Sequence, residues 1–81
     1  RKPRRDKKEM GDYKQAVKYY NKVLQLEPDE PLGYSNRSFN KFKSGDFVGA
    51  LSDIKKSIQI YPDNSYAYRI RALIYIQENK N

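Results

Sequence analysis

The chain has 81 residues, eight of them Tyr, and no Cys, His or Trp. That length holds one small domain. The missing Cys and His remove disulfides, the usual metal ligands and Ser-His-Asp catalysis. The net charge is +7, but six of the 17 basic residues and one of the ten acidic ones fall in RKPRRDKK, residues 1–8, so the remainder is close to balanced.

The first segment, RKPRRDKKEM, offers Met10 as its single large apolar side chain. A helix there has nothing to bury, so residues 1–10 read as a basic arm or a frayed helix. Its cations Arg1, Lys2, Arg4, Arg5, Lys7 and Lys8 could neutralise phosphates and give salt-dependent, sequence-blind binding. No nucleic-acid-binding motif accompanies them, so an anionic surface is the alternative reading rather than the expected partner.

From residue 11 the chain is written nearly twice. GDYKQAVKYYNKVLQLEPDE, residues 11–30, returns as GDFVGALSDIKKSIQIYPDN, residues 45–64. Gly11 pairs with Gly45, Ala16 with Ala50, Tyr20 with Ile54, Leu24 with Ile58 and Pro28 with Pro62, each 34 residues apart. Tyr34 and Arg37 return as Tyr68 and Arg71 at the same distance. Self-similarity at a period of 20 to 50 residues marks stacked supersecondary units.

Each unit reads as helical. Residues 14–26 set Ala16, Val17, Tyr20, Val23 and Leu24 at spacings of three and four, one stripe of a helix. Residues 47–60 repeat it with Ala50, Leu51, Ile54 and Ile58. Gly11 and Gly45 suit the left-handed position that ends a preceding helix. Asp12, Asp29, Asp46 and Asp63 read as helix caps. Pro28 and Pro62 end the helices before them, and Pro31 fits the first turn of the next. Helices follow at 32–44 and 66–78. The first of these is short of apolar residues, with Ser38, Asn40 and Lys41 along it. The second, SYAYRIRALIYIQE, is apolar over most of its circumference. It implies either a longer array or self-association through Ile70, Leu73, Ile74 and Ile76, because a bare solenoid end needs a polar outer face.

The signature G-D-Y-x-x-A-V-x-Y-Y-x-K-V-L-x-L-E-P, recurring as G-D-F-x-x-A-L-x-D-I-x-K-S-I-x-I-Y-P, resembles the tetratricopeptide repeat. The resemblance covers residues 11 to about 78. It implies an all-α solenoid of helix-turn-helix units with a 34-residue period, about two repeats plus one extra helix. The units are 11–30 (partial), 31–64 and 65–81 (partial). It also implies a protein–protein interaction module, with no cofactor, rather than an enzyme. YSNRS, residues 34–38, looks like the stretch of chaperone-adaptor repeats whose Asn, here Asn36, helps clamp a C-terminal carboxylate. Tyr66 and Ile70 stand where that subfamily has basic residues, so the clamp is incomplete here.

In such a stack the first helix of each unit lines the concave side, and residues about four apart share that face. The expected groove for a peptide or a partner helix is therefore Ser35, Asn36, Phe39, Phe42, Lys43, Tyr66, Arg69 and Leu73. Asn suits a peptide backbone, Arg and Lys a carboxylate, and the aromatics an apolar side chain. Ser44, Asp46, Ser52 and Asp53 have no base beside them in sequence, and no Gly-rich phosphate loop is present. No stretch approaches the roughly 18 apolar residues of a membrane span.

Overall fold

The computed structural model describes residues 7–80, and the side chains of residues 11–79. Four helices run in order: α1 Lys7–Leu26, α2 Pro31–Lys43, α3 Phe47–Ile60 and α4 Ser65–Lys80. Each packs on the next, and α2 also meets α4, so α2 lies between α1 and α3 with α4 stacked beyond. The fold is an all-α helical repeat, as the 34-residue period implied.

The repeat is visible in the backbone hydrogen bonds. The Glu27 amide bonds the Val23 carbonyl at 2.8 Å, and the Tyr61 amide bonds Ser57 at 2.9 Å. Glu30 to Glu27 at 3.1 Å returns as Asn64 to Tyr61 at 3.1 Å. The two Pro-Asp turns are thus one structure built twice. The caps, however, come one residue after the expected aspartates. The Glu30 carboxylate accepts from the Leu32 amide at 3.2 Å, and Asn64 Oδ1 accepts from the Ala67 amide at 3.3 Å. Asp29 and Asp63 sit in the turns themselves. Of the four expected caps, Asp46 fills the role, accepting from the Gly49 amide at 2.9 Å.

Gly11 and Gly45, matched in sequence, differ in structure. Gly45 takes φ +96. Around it the Asp46 amide bonds the Lys41 carbonyl at 2.8 Å and the Gly45 amide bonds Phe42 at 3.1 Å. Those two bonds are the Schellman closure of α2. Gly11 lies inside α1, which runs unbroken from Lys7. The physical reason is burial. The turn at Gly45 joins two helices that pack together, whereas the segment before Gly11 has Met10 alone to offer, so nothing holds a turn there. Asp12 is accordingly within a helix and not at its start.

The apolar core is concentrated late in the chain. Ala50 and Ile54 of α3 pack with Ala67, Ile70 and Ile74 of α4, flanked by Phe39, Phe42, Leu51, Ile58 and Tyr66. Burying each Ile stabilises by roughly 1.5–3 kcal/mol. Among the described side chains of α1, Leu24 is the buried apolar one, and it rests against Gly33 of α2. A Cβ at Gly33 would stand 2.9 Å from Leu24 Cδ2, so glycine is what lets α1 and α2 approach.

Beside the Phe42–Phe47 ring contact, the α2–α3 interface carries a buried polar seam. Ser35, Ser38 and Ser57 are wholly buried. Ser38 Oγ donates to the Ala50 carbonyl at 2.6 Å, Ser57 Oγ donates to the Pro31 carbonyl at 3.0 Å, and the Ser35 and Ser57 hydroxyls bond each other at 2.5 Å. Asn64 Nδ2 donates to Ser35 Oγ at 3.0 Å. No buried side-chain polar atom lacks a partner among the described residues. The small residues of α2 are therefore packing residues joined by hydrogen bonds, which is how a helix poor in apolar side chains can sit between two others.

Candidate peptide-binding groove

Across this seam α2 and α3 are tied by charge. Arg37 Nε and Nη2 each donate to an Asp53 carboxylate oxygen at 2.7 Å, and Lys41 Nζ lies 3.1 Å from Oδ2. Arg37 Nη1 also donates to Asn21 Oδ1 of α1 at 2.9 Å. The bond to Asp53 raises the Arg37 pKa above its ordinary value, with burial opposing. Asp53, noted in sequence as lacking a base, is a buried counter-ion to two cations.

On another side of α2, Tyr66 of α4 donates its hydroxyl to Asn36 Oδ1 at 3.0 Å. Asn36 Nδ2 is left as a donor. The Asn40 amide of α2 in turn donates to the Asn36 backbone carbonyl at 2.8 Å. Burial raises the Tyr66 pKa, and the neighbouring Tyr20 of α1 adds to the rise. The hydroxyl therefore stays neutral and available as a donor. Lys43 Nζ stands 5.7 Å from the Phe39 ring centroid, and Phe39 packs partly buried on the core. Arg69 is exposed, and Leu73 is 40% exposed one helical turn further along α4.

Seven of the eight expected groove residues thus offer surface: Asn36, Phe39, Phe42, Lys43, Tyr66, Arg69 and Leu73. The correction is Ser35, which is wholly buried among Ser57, Asn64 and the Pro31 carbonyl, because its position on α2 turns toward α3. Phe42 is partly buried and also packs on Phe47 at the α2–α3 corner, rings 5.7 Å apart. The expected self-association set also divides. Ile70 and Ile74 are core residues, 1% and 0% exposed, since they face α3. Leu73 and Ile76 remain open. Of the basic arm, Arg1, Lys2, Arg4 and Arg5 lie outside the described residues, and Lys7 and Lys8 belong to α1.

One concavity escaped the sequence reading. A cavity of about 470 Å3 lies between α1 and the α2–α3 turn, lined by Lys14, Val17, Lys18, Lys41, Ser44 and Asp46. Only the pairing of α1 with the C-terminal end of α2 creates it, and no local signal marks it. Among the described residues no cluster of acidic side chains could hold a metal ion, and no helix is long and apolar enough to cross a membrane.

The family model for the tetratricopeptide repeat matches residues 7–30. Those residues pair with α2 in a hairpin whose turn and hydrogen bonds return 34 residues later. Residues 7–30 are similar to the tetratricopeptide repeat, and the all-α helical repeat around them is consistent with that family. Curated relatives agree in extent: sperm-associated antigen 1 of Mus musculus is 36% identical over 70 residues, 86% of this chain and 8% of the relative. The protein of the same name from Rattus norvegicus matches to the same degree. The chain therefore spans 8% of the length of these relatives. No solved structure matches it significantly. Tetratricopeptide repeats generally mediate protein–protein interaction and are typically non-enzymatic.

Proposed function

We propose that the chain is a non-enzymatic interaction module that receives an extended peptide across Asn36, Phe39, Lys43, Tyr66, Arg69 and Leu73. The Tyr66–Asn36 bond carries this reading, because it joins α2 and α4 side by side and sets an amide donor in their shared face. Asn36 Nδ2 would donate to a peptide carbonyl. Lys43 and Arg69, on different helices, would meet carboxylates through charge-assisted bonds. Phe39 and Leu73 would cover an apolar side chain. Service as a docking unit of a larger scaffold or adaptor protein belongs to the same proposal.

The test is selection of displayed peptides on the immobilised chain, followed by titration of the best one with a free and an amidated C-terminus. The Phe39→Ala/Arg69→Ala double variant should lose binding at unchanged helicity, and amidation should weaken it. Equal binding by the double variant refutes the groove.

A further inference from the structure

The 470 Å3 cavity beside the α2–α3 turn shares no residue with the peptide groove. It opens where α1 and α3, both packed on α2, make no close backbone contact with each other among the described residues. Lys14, Val17 and Lys18 line it from α1, Lys41 and Ser44 from the end of α2, and Asp46 from the start of α3.

Its charge is lopsided. Lys14, Lys18 and Lys41 against Asp46 leave +2 around the space. Lys14 and Lys18 have no carboxylate partner among the described residues. They stand four apart on one helix, where like charges repel, and no acidic residue lies three or four positions from either of them. Lys41 gives one contact to Asp53 at 3.1 Å, and an ammonium has three protons to donate. The other polar groups of the turn are spent. The Ser44 hydroxyl donates to the Lys41 carbonyl at 2.9 Å, and the Gly45 and Asp46 amides bond carbonyls at the end of α2. The Asp46 carboxylate is taken up by the Gly49 amide at 2.9 Å. What faces the space is therefore a set of ammonium groups, the Val17 side chain and the bare Cα of Gly45, whose Cβ position has no atom within 4 Å.

We infer that this cavity binds a phosphate monoester, held by Lys14, Lys18 and Lys41. Charge selects it. A monoester carries about −1.5 to −2 at pH 7, which matches the +2 of the lining, whereas a carboxylate brings a single charge. Shape agrees. Lys is a compact point charge suited to a tetrahedral oxyanion, without the planar fork that pairs with carboxylates. The volume falls within the about 300–1,000 Å3 of small-ligand clefts, so the esterified group fits over Val17 beside the phosphoryl oxygens. Binding also relieves the Lys14–Lys18 repulsion, so the ester raises the thermal midpoint of the chain. The recognised chemistry is the monoester itself, and the test separates a free ester from one on a protein side chain.

The test is an amide NMR titration of the whole chain with O-phosphoserine, with the capped peptide Ala-Ala-phosphoserine-Ala-Ala, and with the same peptide carrying Glu in place of phosphoserine. The amides of residues 17, 18, 44 and 45 should shift saturably at millimolar ligand. The phosphopeptide should bind at least about tenfold tighter than the Glu peptide, the worth of one further charge-assisted bond. Its binding should strengthen from pH 5 to pH 7, because the second phosphate proton leaves near about pH 6. Lys14→Gln/Lys18→Gln should abolish the shifts at unchanged helicity, since both side chains are exposed. Lys55→Gln/Lys56→Gln, which removes the same charge from the exposed side of α3, should leave them in place. Asp46→Asn keeps an N-cap and should tighten binding severalfold. Tighter binding of the phosphopeptide than of O-phosphoserine assigns the ester to a protein side chain, and equal binding assigns it to a free small molecule; both outcomes support the site. Equal affinity for the Glu peptide and the phosphopeptide overturns the inference, as do shifts confined to residues 1–10 or an equal loss in the two lysine double variants. Absence of saturable shifts overturns it too.

Discussion

Replacing Asp53 with Asn keeps the volume of the side chain and removes its charge. Two bonds from Arg37 and one contact from Lys41 converge on this carboxylate, whose side chain is 6% exposed. Hydrogen bonds to a charged group are worth about 1.5–3 kcal/mol, and breaking a fully buried pair costs about 3–5 kcal/mol. Arg37 and Lys41 keep 19% and 20% of their surface in water, and Arg37 keeps Asn21, so part of the loss is recovered. The expected destabilisation is about 2–3 kcal/mol, against about 4–12 kcal/mol in total for a domain of this size. At roughly 4–8 °C per kcal/mol the midpoint should fall by about 10–20 °C. Urea and thermal unfolding followed by far-UV circular dichroism measure both quantities. The triple variant Arg37→Met/Asp53→Leu/Lys41→Met should return to within about 1 kcal/mol of wild type, because a well-packed apolar trio replaces a buried ion cluster at little cost. A loss below about 0.5 kcal/mol in Asp53→Asn would show that the cluster does not hold α2 to α3.

The two glycines give a second test. Gly45→Ala should cost about 1–2 kcal/mol, from backbone strain alone since nothing lies near its Cβ, whereas Gly11→Ala should stabilise by about 0.5–1 kcal/mol inside α1; equal effects in urea titration would contradict the unbroken helix. Asn64→Ala removes the α4 cap and the bonds to Ser35 and Ser57 together, and should lower stability by about 2 kcal/mol in the same assay. The raised Tyr66 pKa makes the folded state hold the phenolic proton more tightly than the unfolded chain does. Its contribution is complete below the unfolded value of about 10 and is lost as pH rises through the folded value, so Tyr66→Phe should flatten the alkaline fall in stability. An identical alkaline slope in that variant would count against the burial of this hydroxyl.

The periodicity of the sequence was enough to locate α2, α3 and α4 to within a residue or two at their starts, because Ala50, Ile54, Ile58 and the two Pro-Asp turns each carry a strong local preference. The first unit was harder. Gly11-Asp12 and Gly45-Asp46 are the same letters, and only the presence of a packed helix before the second pair makes it a turn. Which side chains of the proposed groove share a face was legible where helical spacing sets direction, as for Asn36 and Tyr66, which bond each other. The reading failed at Ser35, which lies on the α3 side of α2, because which flank of α2 meets α3 depends on tertiary packing. Ile70 and Ile74 read as sticky from composition, yet they are the centre of the core, since hydrophobicity says that a residue wants cover and not whether it already has it. The serine seam gave no sequence signal, as hydroxyls are equally at home in water.

That seam decides which neighbours α2 will accept. An oily helix of the right shape laid in place of α3 would lack Ser57, and with it one bond to the Ser35 hydroxyl, one to the Pro31 carbonyl and a longer one from the Asn64 amide, each worth about 0.5–1.5 kcal/mol. Hairpins shuffled between related arrays would therefore seat less tightly unless they brought a hydroxyl to that place, so a few small polar groups help to keep the order of units along the stack.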